Sequence, residues 1–301
     1  MQTRSLGEKF FTQLGKIKVS KWPFFMVYRP RSFAIKGSHT RQVMRLVKPG
    51  DILVRSFNGY VNNYLIPGTF HHVGFYLSDV TENHLKQLGG VENPTQFKTG
   101  RQMVIHAIGE KIYLEDLIDF CRCDGLAIMR FPSKLKSLRK REIPAILQEY
   151  FADPTGAAVN AAEEIEEEAE EEKPKKTKKK SKEPAAPEPV KLDATTKALV
   201  ENENKIAQHI AQGKMIEFEK IFKLLYRIAL RKLSTDDGYD FGMESCYATR
   251  STEFVYFITK SIGWNYGIDP EFHRVFFKQR SVITPDTFID ADLEEVWKSD
   301  I

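Results

Sequence analysis

A block of opposing charges divides this chain and limits how it can close on itself. Residues 163–172 hold eight Glu and residues 173–182 hold seven Lys. The surrounding stretch, Asp153 to about Asp193, is built of Ala, Glu, Lys and Pro without one aromatic residue. Such a composition cannot bury enough apolar surface to offset chain entropy, so a disordered charged linker is expected, or at most a fraying helix. A globular unit must therefore be assembled from sequence on both sides of an insertion. The chain is expected to divide into an N-terminal arm at 1–37, a first half at 38–151, the linker at 152–195 and a second half at 196–301.

The 301 residues are 42% hydrophobic, enough for a sizeable core. The net charge of +4 arises from 45 basic and 41 acidic residues, a near balance that makes no case for specific nucleic-acid binding. The Lys run is neutralised by the Glu run beside it. Three cysteines, two of them in Cys121-Arg122-Cys123, show no disulfide spacing and point to a reducing compartment. The longest apolar stretch of the arm, residues 22–28, contains Pro23 and is too short for an export signal or a membrane span. A soluble protein, cytoplasmic or virion-associated, is expected. The arm mixes basic residues with Phe10, Phe11, Trp22, Phe24 and Phe25. It either packs on the body or touches a membrane surface or a protein partner, and packing is the simpler arrangement because exposed aromatic patches are uncommon.

Periodicity supplies the elements. Ser38 and Thr40 can cap a short helix ended by Pro49-Gly50, and residues 51–56 read as a strand. In the strand at 70–77, His71, Val73, Phe75 and Leu77 share one face, and His72, Gly74 and Tyr76 share the other. The first set reads as core. Gly74 allows another element to approach beside His72. His106 lies on a further strand at 103–107. Helices are expected at 114–121, 138–151 and 196–233, a strand at 126–131, and a short closing helix between Pro285 and Trp297. After a polar approach, an apolar helical run begins at Ser251, with Phe254, Val255 and Ile258 behind it. Ser251 is a good N-cap residue. The same position suits a nucleophile, because the first turn offers free N–H groups and partial positive charge.

Several pieces stand in a telling order. Lys48-Pro49-Gly50-Asp51-Ile52-Leu53 is followed by Ile66-Pro67-Gly68, His72-Val73-Gly74-Phe75-Tyr76 and Val104-Ile105-His106-Ala107. Then come Tyr239-Asp240-Phe241, Ser251-Thr252-Glu253-Phe254-Val255 and Ile283-Thr284-Pro285-Asp286. Over about residues 45–131 and 236–290 this resembles the circularly permuted papain-like hydrolases of the NlpC superfamily, in particular the YiiX/YebB-like group. The resemblance implies an α+β fold in which an antiparallel sheet packs against helices. It also implies peptidase-type or amidase-type hydrolysis, or acyl transfer, at an amide, ester or thioester of a peptidoglycan peptide or lipid acyl group. His72 matches the family's general base and His106 its third, orienting residue.

Ser251 falls on the nucleophilic cysteine, and that departure leaves three readings open. It is a working serine nucleophile, or the mark of a catalytically silent binding or structural module, or an engineered inactivating change. A viral or phage member would suit such divergence. Cys246 and Tyr76 are secondary candidates. Five residues of helix rotate by about 500°, so Cys246 and Ser251 could not face one histidine together. No cofactor is expected, since neither a phosphate-binding glycine loop nor a dinucleotide fingerprint occurs. Nor is a metal, because His71, His72, Cys121 and Cys123 match no usual zinc spacing.

Overall fold

The computed structural model describes residues 17–20, 25–28, 33–59, 68–108, 111–136, 205–206, 209, 214–234, 250–260, 268, 271–275 and 278–300. Its elements run β1 (Ile17–Ser20), β2 (Phe25–Tyr28), α1 (Gly37–Leu46), β3 (Ile52–Ser56), β4 (His72–Val80), α2 (Glu82–Gln87), β5 (Gly100–Ile108) and β6 (Lys111–Asp116). They continue through α3 (Leu117–Phe120), β7 (Gly125–Arg130), β8 (Lys134–Lys136), β9 (Met215–Glu217), α4 (Phe218–Arg231), α5 (Arg250–Lys260), β10 (Glu271–Val275), β11 (Lys278–Val282) and β12 (Glu294–Lys298). This is an α+β chain around a six-stranded antiparallel sheet in the order β12-β7-β3-β4-β5-β6. No helix among the described residues is long and apolar enough to cross a membrane.

Strand alternation sends side chains to two cores. Ile52, Val54, Val73, Phe75, Leu77, Met103 and Ile105 meet α4 and α5 through Leu224, Leu225, Ile228, Phe254, Val255 and Ile258. Leu53, Tyr76, Val104, Leu126 and Ile128 form the other face, closed by Val43 of α1 and by Leu117 and Phe120 of α3. The two faces of one sheet thus bury different chemistry.

The junction of α1 with β3 rests on one carboxylate. Buried Asp51 receives Arg130 Nε and Nη2, each at 2.8 Å, and the Lys48 N–H at 2.7 Å. Arg130 also donates to the carbonyl of Leu46. Gly50 has φ +92°, and a Cβ there would overlap the ring of Phe218, so glycine is required on both counts. The Gly-Asp pair of the motif is therefore a structural clamp.

Several expected elements differ. α1 starts at Gly37, which places Ser38 and Thr40 inside the helix, and the Thr40 hydroxyl donates back to the carbonyl of Lys36. The expected helix at 114–121 is split: residues through Asp116 belong to β6, and the Asp116 carboxylate caps α3 by accepting the Ile118 N–H at 2.8 Å. The helical pattern at 196–233 is interrupted by β9, which pairs with β8 as Lys134↔Glu217, Leu135↔Ile216 and Lys136↔Met215. That ribbon pairs the chain before residue 137 with the chain after residue 214. Only a 3₁₀ turn (Asp286–Phe288) follows Pro285, and Trp297 lies in β12. The expected helix at 138–151, the whole linker at 152–195, the first residues of the helix expected at 196–233 and Cys246 lie outside the described residues.

Candidate functional site

The site forms where β4 and β5 part. Their paired register begins at Phe75↔Ile105 and runs toward Val80↔Gly100, leaving the first residues of β4 without β5 partners. There the Val73 N–H donates to Ser251 Oγ at 3.3 Å. Ser251 is 2% exposed. Its hydroxyl therefore holds α5 to β4, and the sequence-based capping role does not hold. The amide involved joins His72 to Val73, so Ser251 Oγ stands beside the backbone that carries the candidate base.

His72 and His106 come together on the second face of the sheet. His72 Nε2 and His106 Nδ1 are 2.9 Å apart, with the rings nearly perpendicular at 84°. His106 is buried and His72 half-buried. Gly74 admits a neighbour as its sequence suggested, but that neighbour is Phe120: a Cβ on Gly74 would overlap Phe120 and Val104. Phe120 is the floor of the site. The His106 ring meets it edge to face, and the Arg55 guanidinium lies 4.0 Å from its centroid on stacking terms typical of cation–π contact.

Two further residues extend this pair. His106 Nε2 lies 3.2 Å from Glu115 Oε2, close but poorly aligned as a hydrogen bond. Arg55 Nη1 donates to the same oxygen at 3.2 Å and to the carbonyl of Phe120 at 3.1 Å. Glu115 stands opposite Val104 in the β5–β6 register, on the side-chain face that carries His106. Glu115 does not stand out in the sequence, because residues 114–121 read as a helix. Period-two reading of Tyr113 and Glu115 beside Leu114 would have found it. Arg55 was detectable as a lone charge in a strand otherwise bound for the core.

Burial sets the charge state. It pushes His72 well below the ordinary histidine range, and Arg55 and His106 add to the effect. His106 is lowered by burial too, against the opposing pull of Glu115. Both rings are therefore neutral near pH 7. Burial alone would raise Glu115, but His106 and Arg55 outweigh it and hold the carboxyl below its usual value, as a carboxylate.

The approach to β4 is fixed from the other end of the chain. The Asp286 carboxylate accepts the N–H groups of Thr69 at 2.6 Å and Phe70 at 2.9 Å. Gly68, with φ +108°, leaves room for that carboxylate. The Thr284-Pro285-Asp286 motif thus positions the strand that carries His72. His71 points toward the first face, its Nδ1 buried without a hydrogen-bond partner. Tyr76 is buried beyond Gly74 in the second core and is not joined to the histidines. Cys121 and Cys123 are buried thiols pushed up to about 12, unsuited to nucleophilic work. Among the described residues, no cluster of three or more His, Cys, Asp and Glu could hold a metal ion.

Comparisons of this chain with protein-family models, curated proteins and solved structures found no match.

Proposed function

We propose that the chain is a permuted papain-like hydrolase or acyltransferase of the NlpC type, with Ser251 as nucleophile, His72 as general base and His106 as orienting residue. One observation carries this reading: Ser251 Oγ, at the start of a helix, is bound to the amide directly following His72, while His72 Nε2 is held by His106. The Val73 N–H and the helix start both favour negative charge on Oγ. A hydroxyl that accepts from Val73 retains its own proton to donate. Of the two His72 ring nitrogens, Nδ1 is the one not engaged by His106.

In the reaction, Oγ forms a bond to the carbonyl carbon of an amide, ester or thioester, and its proton passes to His72. His72 returns that proton to the leaving group as the acyl bond breaks. Water, or another acceptor, then releases the acyl group from Ser251 by the same proton path. A peptide or lipid acyl substrate is the proposed class, and a soluble setting is the proposed location.

A second reading has its own support. No hydrogen bond joins Ser251 Oγ to His72 in this structure, and the ring's depressed basicity weakens it as a base. A silent binding module would look the same at rest. Intact-mass labelling with a fluorophosphonate separates the two. A single adduct that disappears in both Ser251→Ala and His72→Ala is the expected result. An unlabelled native protein, with fast His72-dependent alkylation only in Ser251→Cys, would establish the silent module.

A further inference from the structure

We propose that Glu115 is a positioning residue that decides which nitrogen of His72 carries the proton, acting through the ring of His106. The inference rests on the reading of His72 as the base, and its geometry stands in four buried or half-buried side chains. Glu115 Oε2 lies 3.2 Å from His106 Nε2, and His106 Nδ1 lies 2.9 Å from His72 Nε2. A carboxylate only accepts. A lone pair on His106 Nε2 would face that negative oxygen across 3.2 Å without solvent between, since the nitrogen is buried. The His106 proton therefore sits on Nε2, and Nδ1 is bare.

A bare His106 Nδ1 can only accept, so His72 must supply the proton between the rings from its Nε2. That leaves His72 Nδ1 as a lone pair, the form a base needs. Arg55 completes the arrangement. By donating to the same Glu115 oxygen it keeps the carboxyl ionised and an acceptor. The tautomer of the candidate base is thus set two residues away, on a neighbouring strand.

Glu115→Leu tests this because it removes the one oxygen that faces both Arg55 Nη1 and His106 Nε2. Glu115→Gln is the control, since an amide oxygen in the same place still accepts from both. Without an acceptor at Nε2, His106 loses its preference for the Nε2–H form, and His72 loses its own with it. Long-range ¹H–¹⁵N correlation of the histidine rings reads this directly, with resonances assigned through His72→Ala and His106→Ala. The native protein and Glu115→Gln are expected to show both rings protonated on Nε2, and Glu115→Leu mixed tautomers. Fluorophosphonate labelling of Ser251 is expected to fall in Glu115→Leu in proportion to the His72 population that carries Nδ1–H.

A native His72 protonated on Nδ1 overturns the proposal, as does a folded Glu115→Leu protein that retains a single Nε2–H form. Should that variant fail to fold, Glu115→Ala carries the same expectation and the same overturning result. The spectra do not depend on Ser251. Tautomers that become mixed in Glu115→Leu of a protein that never labels would uphold the relay and reject the hydrolase, whereas labelling with unchanged tautomers would do the reverse.

Discussion

The two faces of the central sheet make opposite use of the same strands. Toward α4 and α5, alternate residues such as Val73, Phe75 and Ile105 are apolar and close-packed. Toward α1 and α3, the intervening residues include Arg55, His72 and His106, with Glu115 arriving from β6. The first face is stabilised by removing hydrocarbon from water. On the second, every polar atom needs a partner, and Arg55 Nε and His106 Nε2 lack an aligned one. Each such buried group costs about 1–3 kcal/mol. A face arranged only for stability would not carry four of these side chains together, so the second side holds the candidate base and its partners, while Ser251 comes from α5 on the first.

The sharpest way to break that contrast is on the apolar side. Phe254→Ala, at a fully buried position, is expected to lower stability by about 3–5 kcal/mol in urea unfolding. A loss below about 1 kcal/mol would mean that α5 is not integral to the core. On the polar side, Arg55→Met alone should cost about 2–3 kcal/mol, since it leaves a half-buried carboxylate uncompensated. Adding Glu115→Leu should recover most of that loss, and a double-mutant cycle measures the coupling. Equal losses in the single and double variants would show that the pair stabilises the fold outright.

Acid should act through the buried histidines, His72 and His106 on the polar side and His71, also lowered by burial, on the first. His72 and His106 have folded-state pKa values below the ordinary 6.5, so the unfolded chain binds their protons more tightly. Their contribution is fully present above about pH 6.5 and is lost as pH falls through the depressed folded values. Glu115, also depressed, acts in the same direction below its ordinary 4.5. Stability measured from pH 8 down to pH 5 is expected to fall, with a shallower slope in His106→Phe and an unchanged slope in Phe254→Ala. The smallest effect belongs to the insertion. Because β8 pairs with β9 across residues 137–214, excising residues 153–193 roughly halves the length of chain between them and should raise stability by only about 0.6 kcal/mol. A large loss of cooperativity in that deletion would show that the segment packs on the body.

Much of this organisation was legible in the chain. Alternation around Val73-Gly74-Phe75-Tyr76 separated the two faces and set His72 on the side that proved polar, and the lone His106 fell on the matching face of its own strand. The motif at Thr284-Pro285-Asp286 was visible, but its task was not. Nothing local links Asp286 to the N–H groups of Thr69 and Phe70, a contact made across most of the sequence. Glu115 was hidden for a different reason. Residues 114–121 hold helix-forming and strand-forming signals in succession, and the pairing of Ile105 with Leu114 draws the first part into the sheet. Tertiary pairing overrode local propensity there.

The sequence by itself determined the charged division, the strand faces and the candidates Ser251, His72 and His106, because composition and periodicity are properties of neighbouring residues. Only the tertiary structure decided that Ser251 grips the amide after His72, that His72 leans on His106, and that Glu115 and Arg55 stand behind them. Those relations depend on strand register and on the point where β4 and β5 separate. Register is a cooperative result of packing two cores at once, and a linear pattern does not encode it.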